Sequence, residues 1–143
     1  MNTAEKVTIT VEATVNVPIE KVWNLWTSPE HIINWNNASD DWHTPRAEND
    51  LRKGGKFLSR MEAKDGSFGF DFGGVYDKVK TNELIAYTID DGRTVKVSFT
   101  QNGNTTKVTE TFEAENTHAI EMQQGGWQAI LNSFKKYAES IAN

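Results

Sequence analysis

The stretch from Val7 to Trp26, VTITVEATVNVPIEKVWNLW, decides the fold because its hydrophobic period changes partway along. Val7, Ile9, Val11, Ala13 and Val15 alternate with polar residues, the period-two pattern of a strand with one buried face. After Val17-Pro18, the residues Ile19, Val22, Trp23 and Trp26 recur at three and four, which is helical spacing, and Pro18 suits a first helical turn. Ser28-Pro29-Glu30 then restarts a second short helix, with Ser28 as N-cap and Pro29 at the first helical position, carrying Ile32, Ile33 and Trp35. The reading is a strand followed directly by a helical elbow.

Downstream, Asn36 to Asp50 (NNASDDWHTPRAEND) is polar and aperiodic, and is expected to be a long loop of the kind that forms lids or rims. Alternation returns in Phe57, Ser59, Met61 and Ala63, in Phe68, Phe70 and Phe72, from Leu84 to Ile89, in Val95, Val97 and Phe99, and in Val108, Phe112 and Ala114. Asp65-Gly66, Asp91-Gly92 and Asn102-Gly103 punctuate these runs with the residues that tight hairpins require, so the segments read as an antiparallel meander. At Gly73-Gly74 the inward parity changes, and a β-bulge there would place Phe68, Phe70, Phe72, Val75 and Val79 on one inner face. From about Thr117 to Ile141 a long helix carries Trp127, Ile130, Leu131, Phe134, Ala138 and Ile141 on one stripe. The fold class is therefore α+β: a curved antiparallel sheet of six to seven strands wrapped around a long last helix, as one domain over residues 1–143.

Composition narrows the partners. The 143 residues carry 15 Lys+Arg against 20 Asp+Glu, a net charge of -5, and an acidic surface does not supply the concentrated positive field that nucleic acid requires. Cysteine is absent, which removes disulfides, thiolate metal sites and cysteine nucleophiles. No apolar run exceeds Leu84-Ile85-Ala86-Tyr87, so membrane insertion is not expected, and the N-terminus does not resemble a secretory signal, so a cytoplasmic location is expected. His31, His43 and His118 lack metal-ligand spacing, and neither a phosphate-cradling loop, a dinucleotide fingerprint nor a nucleophile elbow occurs; no metal or cofactor is expected.

A twisted sheet curling round one helix about 10 Å across leaves space between them. Gly125-Gly126, inside the helical pattern, marks either a close backbone approach, room beside the helix, or the frayed beginning of a shorter one.

Four segments carry a family resemblance: Val17-Pro18-Ile19-Glu20-Lys21-Val22-Trp23, Ser28 to Trp35 (SPEHIINW), Asp50 to Phe57 (DLRKGGKF), and Gly125-Gly126-Trp127 with Leu131 behind it. In this order the chain resembles the START-like, helix-grip superfamily, and within it the group similar to the C-terminal domain of the activator of Hsp90 ATPase. The resemblance implies a hydrophobic cavity between sheet and helix, and a family that includes ligand carriers, polyketide cyclases and a co-chaperone domain.

Glu110 shares the inward parity of Val108 and Phe112, and an inward carboxyl is costly unless it is paired, hydrogen-bonded or protonated. It either orients a ligand, serves as a general acid or base, or is tied into a structural network. Trp35, Phe57, Met61, Phe70, Phe72, Tyr87, Phe99, Trp127 and Ile130 supply an apolar lining, and Trp42 in the polar segment either covers the cavity mouth or anchors its loop. The favoured function is non-enzymatic binding of a small hydrophobic or amphipathic ligand, its polar end fixed by Glu110 or Tyr87. An Hsp90-type chaperone is the alternative partner that the resemblance implies, and a cyclase-like enzyme acting on an apolar polyketide is the third reading.

Overall fold

The computed structural model describes residues 7–142. Strand β1 (Thr8–Val15) leads into α1 (Ile19–Thr27) and α2 (Pro29–Trp35). Then come β2 (Trp42–Asn49), β3 (Lys56–Ala63), β4 (Gly69–Lys80), β5 (Leu84–Ile89), β6 (Thr94–Asn102) and β7 (Thr105–Glu113), and the chain ends in α3 (Ile120–Ala142). All pairs are antiparallel and the seven-stranded sheet has the order β1-β7-β6-β5-β4-β3-β2. Only β1 leaves sequential order, so the first strand closes against the last and the sheet curls into a half-barrel around α3.

Inward residues from β1, β6 and β7 meet the helices in the core, with Val11, Val15, Val97, Val108, Phe112, Leu131 and Phe134 almost fully enclosed. The helical elbow is tied down through its backbone. Trp35 Nε1 donates to the Leu25 carbonyl at 2.9 Å, Ser133 Oγ donates to the Trp35 carbonyl at 2.8 Å, and the buried Thr106 Oγ1 donates to the Val17 carbonyl at 2.8 Å. The bonds to Leu25 and Val17 occupy carbonyls at a helix end and a turn, and the Trp35 carbonyl accepts from Ser133 in addition to the Asn37 N–H. The Trp26 and Trp35 rings stack at 4.8 Å, and both meet the Phe134 ring edge-on. Ser28 occupies the N-cap of α2 with Pro29 in the first turn, but its hydroxyl bonds Asn24 Oδ1 instead of capping, and Pro18 is the N-cap of α1.

Three expectations are corrected. The segment Asn36–Asp50 is not a long loop, because Trp42–Asn49 forms the edge strand β2 along β3. Its register shifts between His43 and Arg46, around Pro45, whose missing N–H is tolerable only at a sheet edge or bulge. The bulge in β4 does not lie at Gly73-Gly74, where pairing with β3 is unbroken. It lies at Asp77 on the β5 side, so Phe70, Phe72 and Tyr76 share one face while Val75 points outward and is 37% exposed. Gly74 answers a different need, since a Cβ there would sit 2.2 Å from the Thr88 carbonyl oxygen of the neighbouring strand. Helix α3 starts at Ile120 instead of Thr117, because the Glu115 carboxylate takes the Thr117 and His118 N–H groups in a turn that the Gln123 side chain then closes.

Gly125 and Gly126 lie within continuous helix, and an added Cβ at either would meet nothing within 4 Å. They mark neither a helix beginning nor a close approach, but open space beside the helix.

Candidate functional site

Between the concave sheet and α3 lies a cavity of about 320 Å³. Trp35 of α2, Phe57 and Met61 of β3, Phe70 and Phe72 of β4, and Tyr87 of β5 line it, opposite Glu110 of β7 and Trp127 and Ile130 of α3. Trp42 and Phe99 do not. Phe99 is packed beneath the helical elbow, its ring 5.3 Å from Trp23 and 5.9 Å from Trp26. Trp42 meets Phe68 and the outer side of the cavity-lining Phe70, at 6.0 and 6.1 Å, and anchors the beginning of the edge strand.

Trp26, Ile32, Asn36, Ser59, Tyr76, Ile85 and Arg93 also contribute to the wall. Ser59 carries the same sequence signal that marks Glu110, a polar residue at the inward parity of an apolar strand. Tyr76 is hidden by the displaced bulge, and Arg93, at the β5–β6 turn, has no local signature at all.

The polar groups differ in what holds them. Tyr76 donates its hydroxyl to Asn49 Oδ1, while Asn49 Nδ2 donates to the Thr27 carbonyl, so this side chain is fully engaged. Arg93 Nε donates to Asp91 Oδ2 at 2.8 Å and its Nη1 to the Glu113 carbonyl at 3.2 Å. Among the described residues, by contrast, the Glu110 carboxyl and the Tyr87 hydroxyl have no hydrogen-bond partner. No wholly enclosed side-chain nitrogen or oxygen in the described structure is unsatisfied, so these free oxygens border the cavity space.

Glu110 is flanked across the sheet by Val11 on β1 and Val97 on β6. With apolar neighbours on both sides, burial pushes its carboxyl up from an ordinary 4.5 to about 8. Burial also raises Tyr87 well above its ordinary value, with the Glu110 charge adding to the effect. At neutral pH both groups are therefore neutral, and each keeps a proton to donate. No cluster of three or more His, Asp or Glu among the described residues has the geometry to hold a metal ion.

The upper wall is set by aromatic packing. The Trp127 indole stacks on Phe112 and meets Phe72 edge-on at 6.1 Å, so it bridges β7 and β4 across the space. Phe57 packs edge-on against Tyr87 at 4.8 Å. Such a surface takes apolar matter, with a few polar groups to fix its orientation.

Residues 16–139 match the family model described as "Activator of Hsp90 ATPase homolog 1-like protein". Among solved structures, the AHSA1-like protein from Aeromonas hydrophila is 45% identical with a TM-score of 0.89, covering 94% of each chain. A protein from Cytophaga hutchinsonii is 59% identical with a TM-score of 0.81, covering 94% of this chain and 93% of that one. A Nitrosomonas europaea protein at 17% identity and a TM-score of 0.81 shares the fold, with 94% and 96% of the two chains covered. No curated protein matches the chain.

Proposed function

The chain belongs to the activator of Hsp90 ATPase homologue 1-like family, and from that premise we propose that it binds a small hydrophobic or amphipathic molecule, without chemistry, between the sheet and α3. The observation that carries this reading is the cavity of about 320 Å³, walled by aromatic rings and bordered by polar groups with no protein partner. That volume falls at the lower end of small-molecule sites, about 300–1,000 Å³. Unsatisfied polar groups at an apolar cavity cost stability until something pairs with them, and a ligand's polar end is what would do so. Glu110 and Tyr87 fix that end, while Trp127, Phe57 and Phe72 enclose the rest.

Native mass spectrometry of gently purified protein, followed by solvent extraction, tests this directly, together with fluorescence titration of the neutral probe N-phenyl-1-naphthylamine. A co-purified small molecule, or saturable one-site probe binding that Ile130→Trp abolishes by filling the space, supports the reading. A clean apo mass together with no probe binding overturns it.

The family description makes regulation of an Hsp90-type chaperone the second reading. The aromatic cluster of Trp42, Phe68 and Phe70 favours it, because Phe68 is 62% exposed on a surface where a protein partner could cover it. Purified Hsp90 whose ATPase rate does not change when this protein is added would remove that reading.

A further inference from the structure

We propose that the ligand enters with a carbonyl group, whose oxygen accepts hydrogen bonds from the Glu110 carboxyl and the Tyr87 hydroxyl together; this inference rests on the cavity being a ligand site, as proposed above. Among the described residues these two groups are buried and free of protein hydrogen bonds, and both face the same space. The strand register sets their relation. Tyr87 pairs with Val95 and Val95 with Phe112, while Ile85 pairs with Val97 and Val97 with Glu110. Tyr87 and Glu110 are thus diagonal neighbours across the single intervening strand β6, their Cα atoms about 10–12 Å apart by strand spacing and rise. Both side chains border the same cavity, and the Glu110 charge is felt at the Tyr87 hydroxyl, so the two polar ends address one space.

The chemistry of that space selects what fills it. A neutral carboxylic acid and a phenol each offer an O–H donor, and a carbonyl oxygen accepts two such bonds without bringing a hydrogen of its own. The titratable or charged groups facing Glu110 across the cavity are Tyr87 of β5, Tyr76 of β4 and Arg93 at the β5–β6 turn. Its neighbours on β1 and β6 are Val11 and Val97, and α3 presents Trp127 and Ile130, none of which titrates. Tyr76 is committed to Asn49, and Arg93 to Asp91 and the Glu113 carbonyl. Beside this buried acid and phenol the wall carries the Ser59 hydroxyl and the Asn36 amide as further uncommitted neutral groups, and its one cation, Arg93, is already paired with Asp91, an arrangement that favours ketones, enones and esters over carboxylates. Burial keeps Glu110 protonated up to about pH 8, so the donor pair is intact at neutral pH.

The test uses three naphthalenes of matched shape on the intact protein: 2-acetylnaphthalene, its carbon isostere 2-isopropenylnaphthalene, and anionic 2-naphthoate. Affinities are read by quenching of tryptophan fluorescence, and the bound ketone's carbonyl stretch is read by infrared difference spectroscopy. The expected result is a ketone about tenfold tighter than its isostere, the free energy of a net hydrogen bond, with the stretch shifted to lower frequency. Tyr87→Phe and Glu110→Leu should each return part of that shift, Glu110→Gln should retain more of it than Glu110→Leu, and ketone affinity should fall as pH rises past 8. Equal affinities with an unshifted stretch, or naphthoate bound more tightly than the ketone, would overturn the carbonyl inference and leave the cavity reading standing. Failure of both neutral naphthalenes to bind would overturn the cavity reading and this inference with it. The wild-type infrared shift keeps the question decidable even if a variant fails to fold.

Discussion

The Trp127 indole lies nearly parallel to the Phe112 ring, with centroids 3.9 Å apart and an interplanar angle of 11°. Phe112 follows Glu110 by two residues on the same face of β7, so the contact that seats the last helix on the sheet also forms the wall beside the buried acid. Packing and site are joined at this pair.

Phe112→Ala should cost about 3–5 kcal/mol, because the ring is 1% exposed and its removal leaves a hole in the core. Trp127→Ala should cost less, about 1–3 kcal/mol, since the indole is only partly buried, yet it strips the cavity of its upper wall. Urea unfolding and probe titration on the two variants should therefore rank them in opposite orders, stability falling most in the first and the second losing its probe affinity.

Glu110 makes folding depend on pH in a defined direction. Its folded value is raised from 4.5 to about 8, so between these values the folded state holds a proton that the unfolded chain has lost. Its contribution is fully present below about pH 4.5 and is lost as pH rises through about 8, a total of a few kcal/mol. Glu110→Gln should flatten this slope, and should unfold at higher urea than the parent at pH 9. Denaturation midpoints measured from pH 5 to pH 9 check it, and identical slopes in parent and variant would show that Glu110 is not the group responsible.

The glycines divide by what surrounds them. Gly74→Ala drives a methyl against the Thr88 carbonyl and the Ile89 Cα, and should lower the melting temperature sharply or prevent folding. Gly125→Ala and Gly126→Ala add a methyl to open space in a helix, and each should stabilise by about 0.5–1 kcal/mol. Thermal unfolding of the three single variants decides between these signs.

Trp42→Phe should change probe affinity little, because the Trp42 ring is not part of the cavity wall and touches it only through Phe70. Phe72→Ala should weaken binding, because the Phe72 ring lies inside the cavity against Trp127. Comparing the two dissociation constants checks the assignment.

What could be read from the chain was whatever local chemistry dictates. The change of period at Pro18, the turn glycines and the stripe on α3 fix elements in order, because side-chain alternation and backbone freedom act over a few residues. The same reasoning marks Glu110, whose parity places it inside whatever the sheet encloses.

The edge strand β2 escaped because its polarity and Pro45 erase the alternation, and its pairing is decided by β3. The displaced bulge escaped for a related reason: Gly74 reads as a kink in sequence, whereas in space it admits the Thr88 carbonyl and the true shift lies at Asp77. Phe99 and Tyr87 look equivalent as aromatics on neighbouring strands, yet the helical elbow covers the first and leaves the second facing open space. The sequence misplaced Phe68 and Val75, where no local signal located the bulge. Where the alternation runs unbroken, as in β1, β6 and β7, it determined by itself which residues turn inward, since periodicity is a property of one strand or helix. Which of those border a cavity and which are packed solid was decided by tertiary structure alone, because empty space is made by the curvature of a whole sheet over a helix too narrow to fill it.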